Sequence, residues 1–165
     1  MNKYSIILFL ALSSILSSCG FQLRGSIDMP SDLTKISVVS ENYSELVKNL
    51  NQTLSNSNIQ VVNELDRDLY RVKIISETFN RRQLSISISG RVNEYEIIYN
   101  IIYQISSPNE KSKEETISLY RDYSFDEDNI MGNTDREAQI KKEMVSNAAS
   151  LIFTKLIAKI KNRDS

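Results

Sequence analysis

The stretch Glu96-Ile97-Ile98-Tyr99-Asn100-Ile101-Ile102-Tyr103-Gln104-Ile105 carries the plainest structural signal in the chain. Ile97, Tyr99, Ile101, Tyr103 and Ile105 recur at every second position, the period that sends alternate side chains to one face of a strand. Glu96, Ile98, Asn100, Ile102 and Gln104 line the other face, which is half apolar. A strand of this kind is either central in its sheet or meets something outside the domain. Aromatic and β-branched residues at this density fit a pleated, packed surface and not a helix.

Working outward, Ser89-Gly90 is a turn signal, and Leu84-Ser-Ile-Ser-Ile-Ser89 alternates before it. From Leu69 to Phe79 alternation is imperfect, with Tyr70, Val72 and Ile74 on one side. Beyond Ile105, Pro108-Asn109 and the charged run Glu110 to Glu115 make a turn. Ile117, Leu119, Tyr123 and Phe125 then mark another long strand, its face interrupted by Arg121. Upstream, Leu33 to Val39 reads as a strand, and Ile59 to Val62 as a short extended piece returning to the sheet. Two helices complete the pattern. Asn42-Tyr-Ser-Glu45 resembles a capping box ahead of Leu46, Val47, Leu50 and Leu54 at helical spacing, and Ser55-Asn56-Ser57-Asn58 ends that helix. Thr134-Asp-Arg-Glu137 is a second such box. It opens a long helix with an inner stripe of Ile140, Met144, Ala148, Leu151 and Ile152, widened by Phe153, Leu156, Ile157 and Ile160. Lys155, Lys159, Lys161 and Arg163 suit its C-terminal end. The order β-α-β-β-β-α predicts an α+β two-layer sandwich, two helices packed on a four-stranded mixed sheet.

The N-terminus reads differently. Lys3, the apolar run Ile6 to Ile15, and Ser17-Ser18 divide as the zones of a secretory signal do, so residues 1–18 are expected to be a cleaved signal peptide. The run is too short to span a bilayer, which takes about 20 residues. Leu16-Ser17-Ser18-Cys19 resembles the lipobox of bacterial lipoproteins. That resemblance implies cleavage before Cys19 and its conversion to an N-palmitoyl, S-diacylglycerol cysteine. It accounts for a solitary cysteine in an exported protein, since acylation removes a reactive thiol. Gly20, where no Asp stands, implies sorting to the outer membrane. Residues 19–32 then form a lipid-anchored tether, and residues 33–165 a single domain.

Composition narrows the chemistry. The 20 Lys and Arg nearly balance the 21 Asp and Glu, which argues against nucleic acid as a partner. With four Gly and two Pro, long flexible linkers are not expected. Histidine is absent and the only cysteine is Cys19, so a serine nucleophile lacks its imidazole base and a zinc site its ligands. The densest acidic group, Asp126-Glu127-Asp128, lacks the spacing and glycine of a calcium loop and reads as a solvated turn. The sequence offers no active site, cofactor site or metal site, and the chain is expected not to be an enzyme.

Three motifs point to a family. Cys19-Gly20-Phe21-Gln22-Leu23-Arg24-Gly25, Gly90-Arg91-Val92-Asn93-Glu94-Tyr95 and Arg121-Asp122-Tyr123-Ser124-Phe125 resemble the opening, the hairpin and the last strand of the lipopolysaccharide-assembly lipoprotein family LptE. The resemblance implies an outer-membrane lipoprotein, anchored on the periplasmic side. Such a protein plugs the LptD β-barrel in a one-to-one complex, assists its assembly and binds lipopolysaccharide. Two alternatives remain at this stage: a stand-alone lipid-binding lipoprotein, and a cell-wall scaffold that activates a periplasmic synthase. Lipopolysaccharide carries phosphates, which suit Arg and Lys. The resemblance places basic contacts around the middle hairpin and the start of the last helix, making Arg81, Arg82, Arg91, Arg136, Lys141 and Lys142 the candidates. Ser85, Ser87 and Ser89 hold the hairpin's polar register. These cations would otherwise simply keep strand edges soluble.

Overall fold

A computed structural model describes residues 33–63, 68–108, 110 and 112–163. The proposed signal peptide, the tether and Cys19 lie outside the described residues. Five strands form one sheet in the order β2-β1-β3-β4-β5, where β1 is Lys35–Ser40, β2 Gln60–Val62, β3 Tyr70–Ile86, β4 Val92–Ser106 and β5 Glu114–Ser124. Helix α1, Glu45–Asn56, connects β1 to β2, and α2, Ile130–Arg163, follows β5. β1 runs parallel to both β2 and β3, whereas β3, β4 and β5 form an antiparallel meander. The sheet is mixed and the architecture is the expected α+β sandwich. The strand count is five, because the short segment after α1 pairs with β1 in register Ile36 to Val61.

β4 behaves as its alternation predicts. Ile97, Tyr99, Ile101, Tyr103 and Ile105 are buried under the helices, while Ile98 and Ile102 are half-buried on the opposite, uncovered face. Leu46, Leu50 and Leu54 of α1 and Met144, Ile152, Leu156 and Ile160 of α2 meet them, with Ile36, Val38, Val72 and Ile74 completing the core. Each such side chain stabilises the fold by roughly 1.5–3 kcal/mol on burial. The wide apolar arc of α2 is thus explained by the chain's own core: Phe153, Leu156, Ile157 and Ile160 are all buried in it. Leu151 departs from the expected inner stripe and stands 43% exposed on the outer side of the helix.

Both helix starts differ from the boxes read in the sequence. For α1 the cap is Ser44, not Asn42: its Oγ accepts from the Val47 amide at 3.3 Å and donates to Glu77 Oε1 on β3 at 2.5 Å. A cap that also ties the helix to the sheet outcompetes one that does not. Asn58, in the left-handed region at φ 60°, closes the far end of the helix. Helix α2 begins a turn ahead of Thr134. The side-chain oxygen of Asn129 accepts from the Gly132 amide at 3.0 Å, and a Cβ at position 132 would lie 2.5 Å from Asn129 Nδ2. Gly132 therefore permits the cap to close. Thr134 instead donates within the helix to the Ile130 carbonyl at 3.1 Å.

The third difference concerns the hairpin. Leu84 to Ser89 is not a separate strand: β3 runs unbroken to Ile86, a length of about 55 Å. Bulges between Ile74 and Ser76 and between Gln83 and Ile86 adjust its register with β4. Ser87 to Gly90 then form the turn, with Gly90 at φ 80° and its amide donating to the Ser87 carbonyl at 2.9 Å. The return bond, Ser87 amide to Arg91 carbonyl at 2.7 Å, completes a type I turn with a glycine bulge. Among the described residues, no helix is long and apolar enough to cross a membrane.

Candidate functional site

The helical layer does not reach the end of the β3–β4 hairpin, and at that boundary the basic candidates meet aromatic surface. Arg81 lies opposite Ile97 in the ladder and faces the helices. Its guanidinium sits 4.4 Å from the centre of the Tyr95 ring, and its Nη1 donates to Glu137 Oε2 on α2 at 2.9 Å. The Tyr123 hydroxyl donates to the same oxygen at 2.8 Å, and Lys141 Nζ reaches Oε1 at 2.6 Å. Tyr95 stacks towards Tyr123 and meets Phe125 edge-on, with centroids 6.0 and 5.2 Å apart. A cleft of about 490 Å³ opens over this group, floored by Arg81, Tyr123 and Phe125 and walled by Ile130, Glu137 and Lys141.

Glu137 is the hub of the cleft. Its partial burial disfavours the charged form. Hydrogen bonds from Lys141, Tyr123 and Arg81 together outweigh that penalty and hold its pKa down at about 2. Tyr123 is pushed up by burial and by its bond to the carboxylate. At neutral pH the cleft thus presents two cations around one carboxylate, on an aromatic floor. An incoming anion would meet Arg81 and Lys141 together but has to compete with Glu137 for both.

Lys141 also borders a second groove, between the two helices, with Lys48, Lys142, Val145 and Phe79. Phe79 lies flat on buried Tyr99 at 4.0 Å and remains 37% exposed, with Lys141 Nζ 5.8 Å from its centre. Below it, the Tyr99 hydroxyl donates to Glu77 at 2.7 Å, and burial together with that bond raises its pKa well above the ordinary range.

The other candidates do not converge on the cleft. Arg82, one residue on from Arg81, lies across the sheet from it and pairs with Glu96 at 2.6 Å. Arg91, at the hairpin turn, pairs with Glu127 at 3.1 Å, so the acidic turn after β5 braces the hairpin. That turn is itself knotted: the Asp128 amide donates to the Asp126 side chain at 3.0 Å, and Asn133 Nδ2 to the Asp126 carbonyl at 2.5 Å. Arg136 is exposed on α2 and, like Lys142, has no ion pair among the described residues. The six cations thus divide into a joined pair, Arg81 and Lys141, a neighbour in Lys142, and three at separate places.

Sequence reasoning passed over the apolar tip. Leu84 is 45% and Ile86 63% exposed, and Ile88, at the first corner of the turn, is fully exposed. The intervening serines are satisfied locally, Ser85 on Glu94 at 2.6 Å and Ser87 with Ser89 at 2.8 Å. The perfect alternation was the available signal, but it names an apolar face without saying what covers it. It also passed over Glu137 as anything beyond a cap.

A lengthwise open sheet, a two-helix cover and a bare hairpin tip define a class: small two-layer α+β domains with a mixed sheet. The sequence model of LptE, described as "Lipopolysaccharide-assembly", matches residues 33–156, and the chain belongs to that family. It is similar to the LPS-assembly lipoprotein LptE of Yersinia enterocolitica, 28% identical over 98% of this chain and 82% of that protein. The LPS-assembly lipoprotein LptE of Pectobacterium atrosepticum is 26% identical over 97% and 90%. Among solved structures, rare lipoprotein B from Shewanella oneidensis superposes with a TM-score of 0.74, at 24% identity over 80% of this chain and all of that one. A lipoprotein B from Nitrosomonas europaea gives 0.71, at 23% identity over 86% and 93%. These two bear on the fold.

Proposed function

We propose that this chain is a non-enzymatic outer-membrane lipoprotein, anchored through Cys19 on the periplasmic side. It plugs the LptD β-barrel in a one-to-one complex, aids the barrel's assembly, and binds lipopolysaccharide on its way to the cell surface. The observation that carries the reading is the family match across residues 33–156. The names of the relatives, LPS-assembly lipoproteins, point the same way.

The cleft supports the lipid half of the reading. A phosphate suits the fork of Arg81 and the point charge of Lys141, which already share one carboxylate. Lys142 extends the cationic rim. Leu84, Ile86 and Ile88 offer apolar contact for the acyl part of an amphiphile. Arg82, Arg91 and Arg136 have weaker claims, because two are paired elsewhere and the third stands apart. Charge reversal at Arg81 and Lys141 is expected to weaken lipopolysaccharide binding most, and reversal at Arg136 least. Equal binding across the series returns these residues to surface duty.

Depletion in the native bacterium tests the cellular role. Surface lipopolysaccharide is expected to fall before cell shape changes. Loss of shape first would favour a cell-wall scaffold and sink the proposal.

A further inference from the structure

β5 is the last strand of the sheet, and its far side pairs with nothing among the described residues. Which of its backbone groups face outward follows from one bond beyond its end. The Phe125 amide donates to the Asn93 carbonyl at 2.7 Å, and those residues are direct partners in the register that pairs Ser124 with Glu94. In an antiparallel ladder, directly opposed residues alternate between bonded and non-bonded pairs. Tyr123, Arg121, Leu119 and Ile117 therefore bond to β4. Thr116, Ser118, Tyr120, Asp122 and Ser124 turn their amides and carbonyls outward. One side-chain contact agrees: Arg121 Nη1 donates to the Tyr120 carbonyl at 3.0 Å, reaching round the edge to a group that β4 does not take.

This edge is long and lightly defended. β5 spans Glu114–Ser124, and its register with β4 runs without a bulge. The five outward residues are all exposed and include no proline or lysine, the usual guards of a free edge. Arg121 blocks a single carbonyl. The opposite edge, β2, has three residues and offers far less.

We propose that the outer edge of β5 is a docking site for an extended, cationic segment of a partner protein, added as a sixth strand. Charge selects the occupant. Glu114 and Asp122 lie along the edge, Asp122 has no ion pair among the described residues, and the edge's one cation, Arg121, is turned onto the Tyr120 carbonyl. Edge-to-edge pairing with a second copy, centred on Ser118, would set Glu114 opposite Asp122, where like charges repel. A strand with Lys or Arg opposite Asp122 and a β-branched or aromatic residue opposite Tyr120 fits both. The edge borders the cleft at Tyr123, with Asp122 presented on the opposite, uncovered face of the sheet, and the proposal does not depend on the barrel reading.

Two probes test it on the full lipidated chain in mild detergent: blocked peptides of about ten residues, one alternating Lys with Val, the other Glu with Val. In the free chain, the amides of Ser118, Tyr120 and Asp122 are expected to exchange hydrogen fast, and those of Ile117, Leu119 and Arg121 slowly. The Lys peptide should slow the first set by about tenfold or more, and the Glu peptide should not. Ser118→Pro removes one outward amide and leaves the β4 backbone ladder whole, losing besides only the exposed hydroxyl bond to Asn100 at 2.7 Å. It should melt cooperatively within about 5 °C of the wild type yet bind the Lys peptide about tenfold more weakly. Asp122→Lys, which needs no backbone change, should invert the preference between peptides. Outward amides already protected in the free chain, no protection by the Lys peptide, or undiminished binding by Ser118→Pro would each overturn the proposal.

Discussion

Replacing Glu137 by Gln removes one charge from the cleft while keeping an acceptor for Tyr123. The wild-type carboxyl is held at about 2, against an ordinary value of 4.5. Taken at face value, that depression corresponds to ~3 kcal/mol of folding free energy. Its partners are partly solvated, with side-chain exposures of 48% for Arg81 and 39% for Lys141. Screening reduces the expected loss to ~1–2 kcal/mol at neutral pH. A carboxyl whose pKa is lowered in the fold stabilises fully above its unfolded value, and that contribution drains away as pH falls towards about 2. The deficit of Glu137→Gln should therefore be complete at pH 7, begin to shrink below about pH 4.5 and nearly vanish at about pH 2. Urea unfolding followed by circular dichroism across that range measures it. The same substitution frees Arg81 and Lys141 from their shared carboxylate, so lipopolysaccharide should bind more tightly to the less stable protein. A variant as stable as the wild type at pH 7, or a deficit undiminished at the acid end, refutes the account of the hub. Weaker binding refutes its competition with the ligand.

Other substitutions probe other links. Tyr99→Phe leaves Glu77 without its buried phenol and should cost about 1–2 kcal/mol, and Ser44→Ala about 1 kcal/mol through the lost helix cap; denaturant midpoints report both. Changing Leu84, Ile86 and Ile88 together to Ser should shift stability by no more than about 0.5 kcal/mol per site, because all three are exposed. Lipopolysaccharide binding should nonetheless fall, and unaltered binding would remove the tip from the site. Cys19→Ala should abolish both labelling by radioactive palmitate and cleavage of the leader; persistent labelling contradicts the anchor.

Local rules made the buried half of the fold readable. The alternation in β4 and the apolar spacing in α1 report burial in the chain's own core, and Tyr99, Ile101, Leu46 and Leu50 are fully buried there. Where a side chain's role depends on a distant partner, sequence pattern falls short. Ser44 displaced Asn42 as the cap because Glu77, on another strand, holds its hydroxyl. Asn129 started α2 early because Gly132 leaves room for it. Arg81 and Arg82 look equivalent in the sequence, but a strand puts them on opposite faces, and only Arg81 meets Glu137. Leu84, Ile86 and Ile88 show the converse limit: alternation identical in form to that of β4 ends in solvent, since the helices stop short of it.

The plug reading is tested most directly by extracting the lipidated chain from native membranes in mild detergent and identifying what comes with it. The account predicts that the LptD barrel is recovered in equal molar amount. Recovery of the chain alone, or with lipopolysaccharide and no barrel, would contradict it.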